Sequence, residues 1–444
     1  MSAREDIWAA RLHAAVDDHP GALAFDVHTY VAAGRTRARR RRATALAATA
    51  AMVAVVATVA ALAVNGIDER ALQPATPIVS STRALAPDTN GWVAVGAEGE
   101  DVYLVRPGQE ARRVEVTGWD TALEACPTWS PDGTRLLFGR LAESEQGSEV
   151  AELVVVPVES DGATSAPRII PLPGFSSLRG FDPHPCGTWA PDGRWVALKG
   201  LDDVWVVDTH SETIRRIPNL RPLDLEWRPG TDQLAIAGDI GPNREAELLF
   251  TPVSIYSVST GELGRLGSVE AGEITWSPDG TTMAYTGGDP TAPQLRLVGA
   301  GGGDDRLLLA DPGTSLHGIG PVWSPAGDRI VYQRSCCGSG EGSEVVLVNV
   351  ADGTLRVIEP PRTDGPDGPL RWYPFFVTWS PEGTTLLYAA WSQLRIGQPD
   401  YQRLLAVPAD RPGDATEIPF THASVTGYSE HRWVQVHMWA RQPG

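Results

Sequence analysis

Residues 275–287 read TWSPDGTTMAYTG, and the fold of the chain follows from this short pattern. A proline, an aspartate and a glycine come soon after Trp276. Proline presets the φ angle of the first turn position, aspartate can bond to the nearby backbone, and glycine accepts a left-handed conformation. Apolar residues then alternate at Met283 and Tyr285 with the period of a β-strand. The stretch therefore predicts a tight turn between two strands.

The same pattern recurs along the chain. Its copies are TWSPDGTRLLFG at Thr128, TWAPDGRWVALKG at Thr188, EWRPGTDQLAIAG at Glu226, the stretch at Thr275, VWSPAGDRIVYQR at Val322 and TWSPEGTTLLYAA at Thr378. Their tryptophans are 60, 38, 49, 47 and 56 residues apart. A four-stranded propeller blade takes roughly 40–50 residues, and loop insertions explain the longer intervals. We expect these side chains to fill the space between neighbouring blades: Trp129, Trp189, Trp227, Trp276, Trp323 and Trp379.

This x-Trp-Ser-Pro-Asp-Gly-x-x-apolar-x-apolar repeat resembles the WD-repeat-like propeller repeat of the TolB family over residues 90–440. The resemblance implies an all-β fold, a β-propeller. Two copies depart from the pattern: residues 228–232 read RPGTD, and Ala326 replaces the aspartate of the fifth copy. Apolar third strands follow each motif, such as DVWVVD and EVVLVNV, and weaker fourth strands such as IRRIP and LRVIE come next.

The number of blades depends on the two ends of the repeat region. Residues 91–116 supply three strands without a tryptophan motif, and residues 430–440 supply one more strand. If the last strand completes the first blade, the ring closes and exposes no sheet edge. The prediction is a seven-bladed propeller, with a six-bladed ring and decorated ends as the alternative.

Residues 43–64, ATALAATAAMVAVVATVAALAV, carry no charge. As a helix they would extend roughly 33 Å, enough to cross a hydrocarbon core of about 30 Å. The basic segment RTRARRRR precedes them and few basic residues follow. The positive-inside rule therefore predicts a cell-membrane protein with a single transmembrane helix, a cytoplasmic N-terminus and an extracytoplasmic body. A cleaved signal peptide, the alternative, would have a shorter apolar run and a shorter basic region.

These features divide the chain into a basic cytoplasmic tail (residues 1–42), a transmembrane helix (43–64), a Pro/Ala/Ser/Thr-rich linker (65–89) and the propeller (90–440). Apolar residues of the tail share one helical face: Ile7, Trp8, Leu12, Ala15 and Val16. They predict one or two short helices that could dock a cytoplasmic partner or lie on the membrane surface. A solvated tail is the simpler interpretation.

Charge is distributed unevenly. Residues 1–42 hold eight arginines and five acidic residues, whereas the rest of the chain holds 29 basic and 50 acidic residues, a net charge of −21. An acidic body repels nucleic-acid phosphates, so DNA or RNA binding by the main domain is not expected. Lys199 is the only lysine of the chain.

The four cysteines allow three disulfide arrangements. Cys126 and Cys186 each precede a motif tryptophan by three residues in consecutive repeats, and they could bond if their Cα atoms lie within roughly 7 Å. Cys336 and Cys337 are adjacent, so a bond between them would be strained, but two exposed free thiols outside the cytoplasm are also unfavourable. The preferred pairing joins Cys126 to Cys186 and Cys336 to Cys337. No zinc-ligand spacing is present.

Polar residues ahead of the inner strands are expected at the mouth of the central channel. This candidate rim consists of Asp120, Glu124, Asp182, His184, Asp224, Glu273 and His317, with Trp119, Trp372 and Tyr373 as aromatic contacts. Packing at a blade junction is the alternative for the three aromatic residues. A divalent metal on the rim could activate water, but no fixed ligand motif supports one, and a solvated acidic rim is the simpler interpretation.

Sequence motifs of other enzymes are missing. The chain has no Gly-x-Ser-x-Gly pentapeptide and no phosphate-binding Gly-x-x-x-x-Gly-Lys loop. No catalytic residue and no cofactor are therefore predicted. The expected function is a tethered extracytoplasmic propeller that binds a protein or a cell-envelope ligand through one face of the ring. Two alternatives are a metal-dependent hydrolase or lactonase that uses the rim, and a sensor whose cytoplasmic tail reports occupancy of the propeller.

Overall fold

The computed structural model describes residues 92–97, 101–106, 111–116, 123–143, 149–175, 185–240, 250–289, 292–310, 320–335, 343–358, 364–365, 368–369, 373–392, 401–411, 414–417 and 434–439. The predicted tail, transmembrane helix and linker lie outside these residues. Within them, no helix has both the length and the apolar character needed to span a bilayer.

The described residues form thirty strands. In chain order they are β1 (Val93–Ala97), β2 (Val102–Val105), β3 (Arg112–Arg113), β4 (Leu123–Trp129), β5 (Arg135–Glu143), β6 (Glu149–Pro157), β7 (Arg168–Pro171), β8 (Gly187–Trp189), β9 (Trp195–Lys199), β10 (Asp203–Asp208), β11 (Ile214–Pro218), β12 (Leu220–Trp227), β13 (Gln233–Ile240), β14 (Thr251–Ser257), β15 (Leu263–Ala271), β16 (Ile274–Trp276), β17 (Thr282–Asp289), β18 (Ala292–Gly299), β19 (Arg306–Ala310), β20 (Val322–Trp323), β21 (Arg329–Ser335), β22 (Ser343–Asn349), β23 (Leu355–Ile358), β24 (Asp364–Gly365), β25 (Gly368–Pro369), β26 (Tyr373–Trp379), β27 (Thr385–Ser392), β28 (Tyr401–Pro408), β29 (Thr416–Glu417) and β30 (Val434–Trp439).

Seven four-stranded antiparallel sheets make up the propeller, and β24 with β25 forms a small separate ribbon. Blades 1 to 6 are β4–β7, β8–β11, β12–β15, β16–β19, β20–β23 and β26–β29. The closing blade combines β3, β2 and β1 with β30 from the end of the chain. This arrangement confirms the seven-bladed prediction and the closure by both ends of the repeat region.

The first strands of the blades form the inner wall of the ring. Each of β4, β8, β12, β16 and β20 contacts the first strand of the next blade, and β30, the inner strand of the closing blade, contacts both β26 and β4. Strands that touch one another around the whole ring must be those nearest its centre. The ring is therefore closed, and the fourth strands lie at its outer edge.

The turn after each motif tryptophan has the predicted chemistry. In blade 1 the Asp132 Oδ1 accepts a hydrogen bond from the Thr134 N–H at 3.1 Å. Gly133 has a φ of 69°, in the left-handed region that favours glycine. The Gly133 N–H donates to the Ser130 carbonyl at 2.8 Å and closes the turn.

The two departing copies compensate for their changed residues. In blade 3 the left-handed glycine is Gly230, with a φ of 70°, one position earlier than in blade 1. Glycine at that position after proline is typical of a type II turn. In blade 5 Asp328 takes the place of the aspartate lost at Ala326, because the Ser324 hydroxyl donates to its carboxylate at 2.8 Å.

Every motif tryptophan is buried between two blades, as predicted. Each hydrophobic core cluster combines apolar side chains of one blade with the tryptophan of the next. Four of the indole N–H groups donate to a backbone carbonyl of the preceding blade: Trp189 to Thr128, Trp227 to Thr188, Trp323 to Thr275 and Trp379 to Val322. Burial of these rings supplies much of the contact between blades.

Arginines add a second contact between blades that the sequence reading did not anticipate. In three junctions one guanidinium lies over the next tryptophan and donates to the glycine carbonyl of the next turn. These are Arg135 with Trp189 and Gly193, Arg228 with Trp276 and Gly280, and Arg329 with Trp379 and Gly383. Arginine suits this position because its planar fork both stacks and donates.

Candidate functional site: the acidic blade junctions

Three carboxylates meet on the inner wall between blades 3 and 4. Asp224 and Glu226 lie on β12, and both are more exposed than Leu225 between them, which packs into the core. Glu273 immediately precedes β16, the first strand of blade 4. The Asp224 Oδ2 accepts a hydrogen bond from the Ile274 N–H at 3.0 Å. The cluster therefore spans the junction; we call these three residues the inner cluster.

The environment favours the protonated form of these acids. Burial, together with the charge of Asp224, raises the pKa of Glu226 to about 8. Burial and Asp224 likewise raise the pKa of Glu273 to about 8. Burial also raises the pKa of Asp224. Because the pKa values of both glutamates lie above neutral pH, the three groups together carry fewer than three negative charges at pH 7.

Solvent still reaches the inner cluster. The Asp224 side chain is 27% exposed, and the only lysine of the chain lies beside it. The Lys199 Nζ is 3.9 Å from the Asp224 Oδ1 and donates to the Leu223 carbonyl at 3.3 Å. At that separation the charge of Lys199 opposes the rise in the pKa of Asp224 but does not reverse it.

A second acidic junction lies between the closing blade and blade 1. Glu124 on β4 is only 5% exposed, away from the solvated rim that the sequence suggested. Its carboxylate accepts a hydrogen bond from the Val102 N–H of β2 at 3.3 Å. In the middle of blade 1, Arg140 donates to the Glu152 Oε2 from both Nε and Nη2, at 2.9 and 2.6 Å.

The other predicted rim residues remain predictions. Tyr373 begins β26, and its side chain is outside the described part of the structure. Also outside it are Asp120, Asp182, His184, His317, Trp119 and Trp372. The structure thus brings together two members of the predicted rim, Asp224 and Glu273.

The sequence reading missed Glu226. This residue directly precedes Trp227, where the other copies of the motif have threonine or valine. That single departure was the available signal.

Where the chain is described, no three histidine, cysteine, aspartate or glutamate side chains are grouped so as to hold a metal ion.

The structure joins Cys126 to Cys186, the first pair of the preferred arrangement. Their Cα atoms are 5.2 Å apart, and the bond links β4 of blade 1 to the residue before β8 of blade 2. Cys126 has a φ of 57° within an irregularity of β4 between Ala125 and Thr128. Cys336 and Cys337 lie outside the described residues.

No model of a protein family matches the chain, and no curated protein matches its sequence. Among solved structures it is similar to TolB from Acinetobacter baumannii, with 17% identity and a TM-score of 0.43 over 77% of this chain and 78% of that one. For an oligogalacturonate lyase in complex with manganese, the identity is 13% and the TM-score is 0.45, over 78% of this chain and 81% of the lyase. For Kuenenia stuttgartiensis hydrazine synthase, the identity is 16% and the TM-score is 0.42, over 64% of this chain and 76% of that one. At such low identity these distant similarities concern the propeller fold alone.

Proposed function

We propose that this protein is a membrane-anchored, non-catalytic propeller that binds a positively charged partner, a protein or a cell-envelope ligand, at its inner cluster. The observation that supports this function is the convergence of Asp224, Glu226 and Glu273 at one junction that solvent still reaches. A rigid ring holds the carboxylates in place, and the net charge of −21 over residues 43–444 attracts cationic partners over a longer range.

A cation at the inner cluster would replace protons. Glu226 and Glu273 have pKa values of about 8, so at neutral pH both groups are mostly protonated. An ammonium or guanidinium group of the partner would stabilise the ionised carboxylates and release those protons. Affinity should therefore increase between pH 7 and pH 9, and it should decrease with ionic strength because the attraction is electrostatic.

The anchor and the location are part of the proposal. The apolar run of residues 43–64 and the basic segment before it support an anchored propeller outside the cytoplasm. The Cys126–Cys186 disulfide fits an oxidising compartment. Deleting residues 43–64 should move the protein from the membrane fraction to the soluble fraction. A deletion variant that stays in the membrane fraction after an alkaline wash would contradict the anchor.

The binding test uses full-length protein cross-linked in its native membrane, with mass spectrometry of what is captured. The triple variant D224N/E226Q/E273Q should lose the partner. The control E115Q/E159Q/E262Q removes three carboxylates from exposed positions and should keep it. Loss of the partner in both variants would point to general charge attraction. Capture of the partner by both variants would show that the inner cluster does not bind it.

A further inference from the structure

Three charged side chains cross blade 1 in one row. Glu124 on β4 pairs in register with Arg140 on β5, which in turn pairs with Glu152 on β6. Their exposed fractions are 5%, 1% and 8%. The row therefore places two carboxylates and one guanidinium where water is largely excluded, and a buried charge without compensation is costly there.

The guanidinium is committed to one of the two carboxylates. Arg140 donates from Nε and Nη2 to the same Glu152 oxygen, the Oε2. Glu124 points the other way, toward the closing blade, where it accepts a hydrogen bond from the Val102 N–H. One arginine can balance one carboxylate, so the row is neutral only if Glu124 carries a proton.

The other elements around Glu124 do not supply a second close cation in the described structure. From the closing blade, Asp101 ahead of β2 opposes its charge, and Arg113 of β3 is paired with Asp101 at 2.8 Å. Strand β1 carries no titratable side chain, and the one titratable residue in the sequence of β30 is His437. Burial is the largest influence on the pKa of Glu124. With a smaller contribution from Asp101, it raises that pKa to about 7 against the hydrogen bond from Val102 and the charges of Arg140 and Arg113.

We propose that Glu124 is a proton-controlled latch that holds the closing blade against blade 1. When Glu124 is protonated, the buried row is neutral and the seam is closed. When Glu124 loses its proton, a buried negative charge faces the closing blade and favours opening of this seam. The Cys126–Cys186 bond ties the same strand to blade 2 on its other side, so opening is confined to the closing blade.

The direction of the pH effect follows from linkage. The pKa of Glu124 in the closed ring is about 7, above the value of 4.5 for a solvated glutamate. The closed state therefore binds more protons than the open state, and its stability declines as the pH increases through about 7. Across two pH units centred on that pKa, one proton is released, which changes the closing equilibrium about tenfold.

Hydrogen exchange of the full-length protein at pH 6 and pH 8, corrected for intrinsic exchange rates, tests the latch. In the wild type, peptides of β1–β3 and β4 should lose about tenfold in protection at pH 8, while those of blade 5, remote from both acidic junctions, keep theirs. E124Q carries a permanently neutral isostere and should show no such loss. E115Q, an exposed substitution close to β3, should behave as the wild type.

E152Q provides a second measurement if E124Q does not fold. Without Glu152, Arg140 is free to compensate an ionised Glu124, so the pKa of Glu124 in the closed ring should fall toward its solvated value and the loss of protection between pH 6 and pH 8 should become much smaller. Equal loss of protection in E124Q and the wild type, an undiminished loss in E152Q, or a uniform loss in all blades would overturn the latch.

Discussion

The two acidic junctions of this ring contain similar residues but differ in how far their side chains are exposed to solvent. At the seam of the closing blade, Glu124 is 5% exposed and Arg140 beside it is 1% exposed. At the junction of blades 3 and 4, Asp224 keeps 27% of its side chain exposed, and its cation, Lys199, is 3.9 Å away and 46% exposed. The first junction is a sealed structural contact. The second is partly exposed to solvent.

Solvent access separates these two roles more clearly than residue type does. A carboxylate sealed in the interior must be balanced by a close cation or hold a proton, because unpaired buried charge is costly. A carboxylate that water still reaches can keep a raised pKa and exchange its proton for an incoming cation. The comparison predicts that substitutions at the seam change stability and that substitutions at the inner cluster change binding.

The largest expected effect comes from Arg140→Met at the seam. The apolar side chain leaves Glu124 and Glu152 buried without a cation, and breaking a buried pair in this way costs about 3–5 kcal/mol. Urea unfolding at pH 7 measures the loss. Lys199→Met at the inner cluster is the matched control and should cost about 1 kcal/mol or less, since exposed pairs contribute little. Equal losses of unfolding free energy in the two variants would show that the two junctions contribute to stability in the same way.

Removal of the disulfide should cause the second-largest loss of stability, after Arg140→Met. Cys126→Ser with Cys186→Ser releases a crosslink that spans 60 residues, and such bonds stabilise typically by about 2–4 kcal/mol. The unfolding midpoint under non-reducing conditions measures the difference. The wild type in reducing buffer should approach the double variant. A double variant as stable as the oxidised wild type would show that β4 does not depend on its bond to blade 2.

The smallest effect should come from Glu226→Gln, and it should depend on pH. The pKa of Glu226 is about 8, so at pH 7 the amide replaces a mostly neutral acid and stability should change by about 0.5 kcal/mol or less. Between pH 7 and pH 9 the wild type should lose stability as this proton dissociates, and the variant should lose about 1 kcal/mol less, because solvent contact reduces the full linkage value.

Unfolding curves at both pH values test this difference. Glu262→Gln, at an exposed position of blade 3 ahead of β15, should lose as much stability as the wild type between pH 7 and pH 9. A Glu226→Gln variant that is strongly destabilised at pH 7 would instead show that the carboxyl is ionised and paired in the folded protein.

Features that follow from the local order of residues, or from the repetition of one motif along the chain, could be predicted from the sequence. The turn at Ser130–Gly133 needs only the local order of proline, aspartate and glycine, and it forms as expected. The pairing of β1 with β30 follows from the need to close a ring. The Cys126–Cys186 bond follows from equivalent positions in consecutive repeats.

Features that depend on the register between paired strands could not be predicted from the sequence. The row of Glu124, Arg140 and Glu152 exists because β4, β5 and β6 pair in one particular register. A shift by one residue would move these side chains to the other face of the sheet. Glu226 also left a trace in the sequence, as the one acid ahead of a motif tryptophan, but its contact with Thr275 and Trp276 depends on how blades 3 and 4 meet.

The sequence by itself determined a repeated strand-turn-strand unit, because that unit depends on local chemistry repeated along the chain. It also favoured seven blades over six, because closure by the two ends of the repeat region leaves no exposed sheet edge. Only the tertiary structure decided which acids are sealed and which reach water. Burial and the distances between charges arise where separate blades touch, and those quantities set the pKa of each carboxylate. The role of an acidic residue in this ring is therefore a property of its junction.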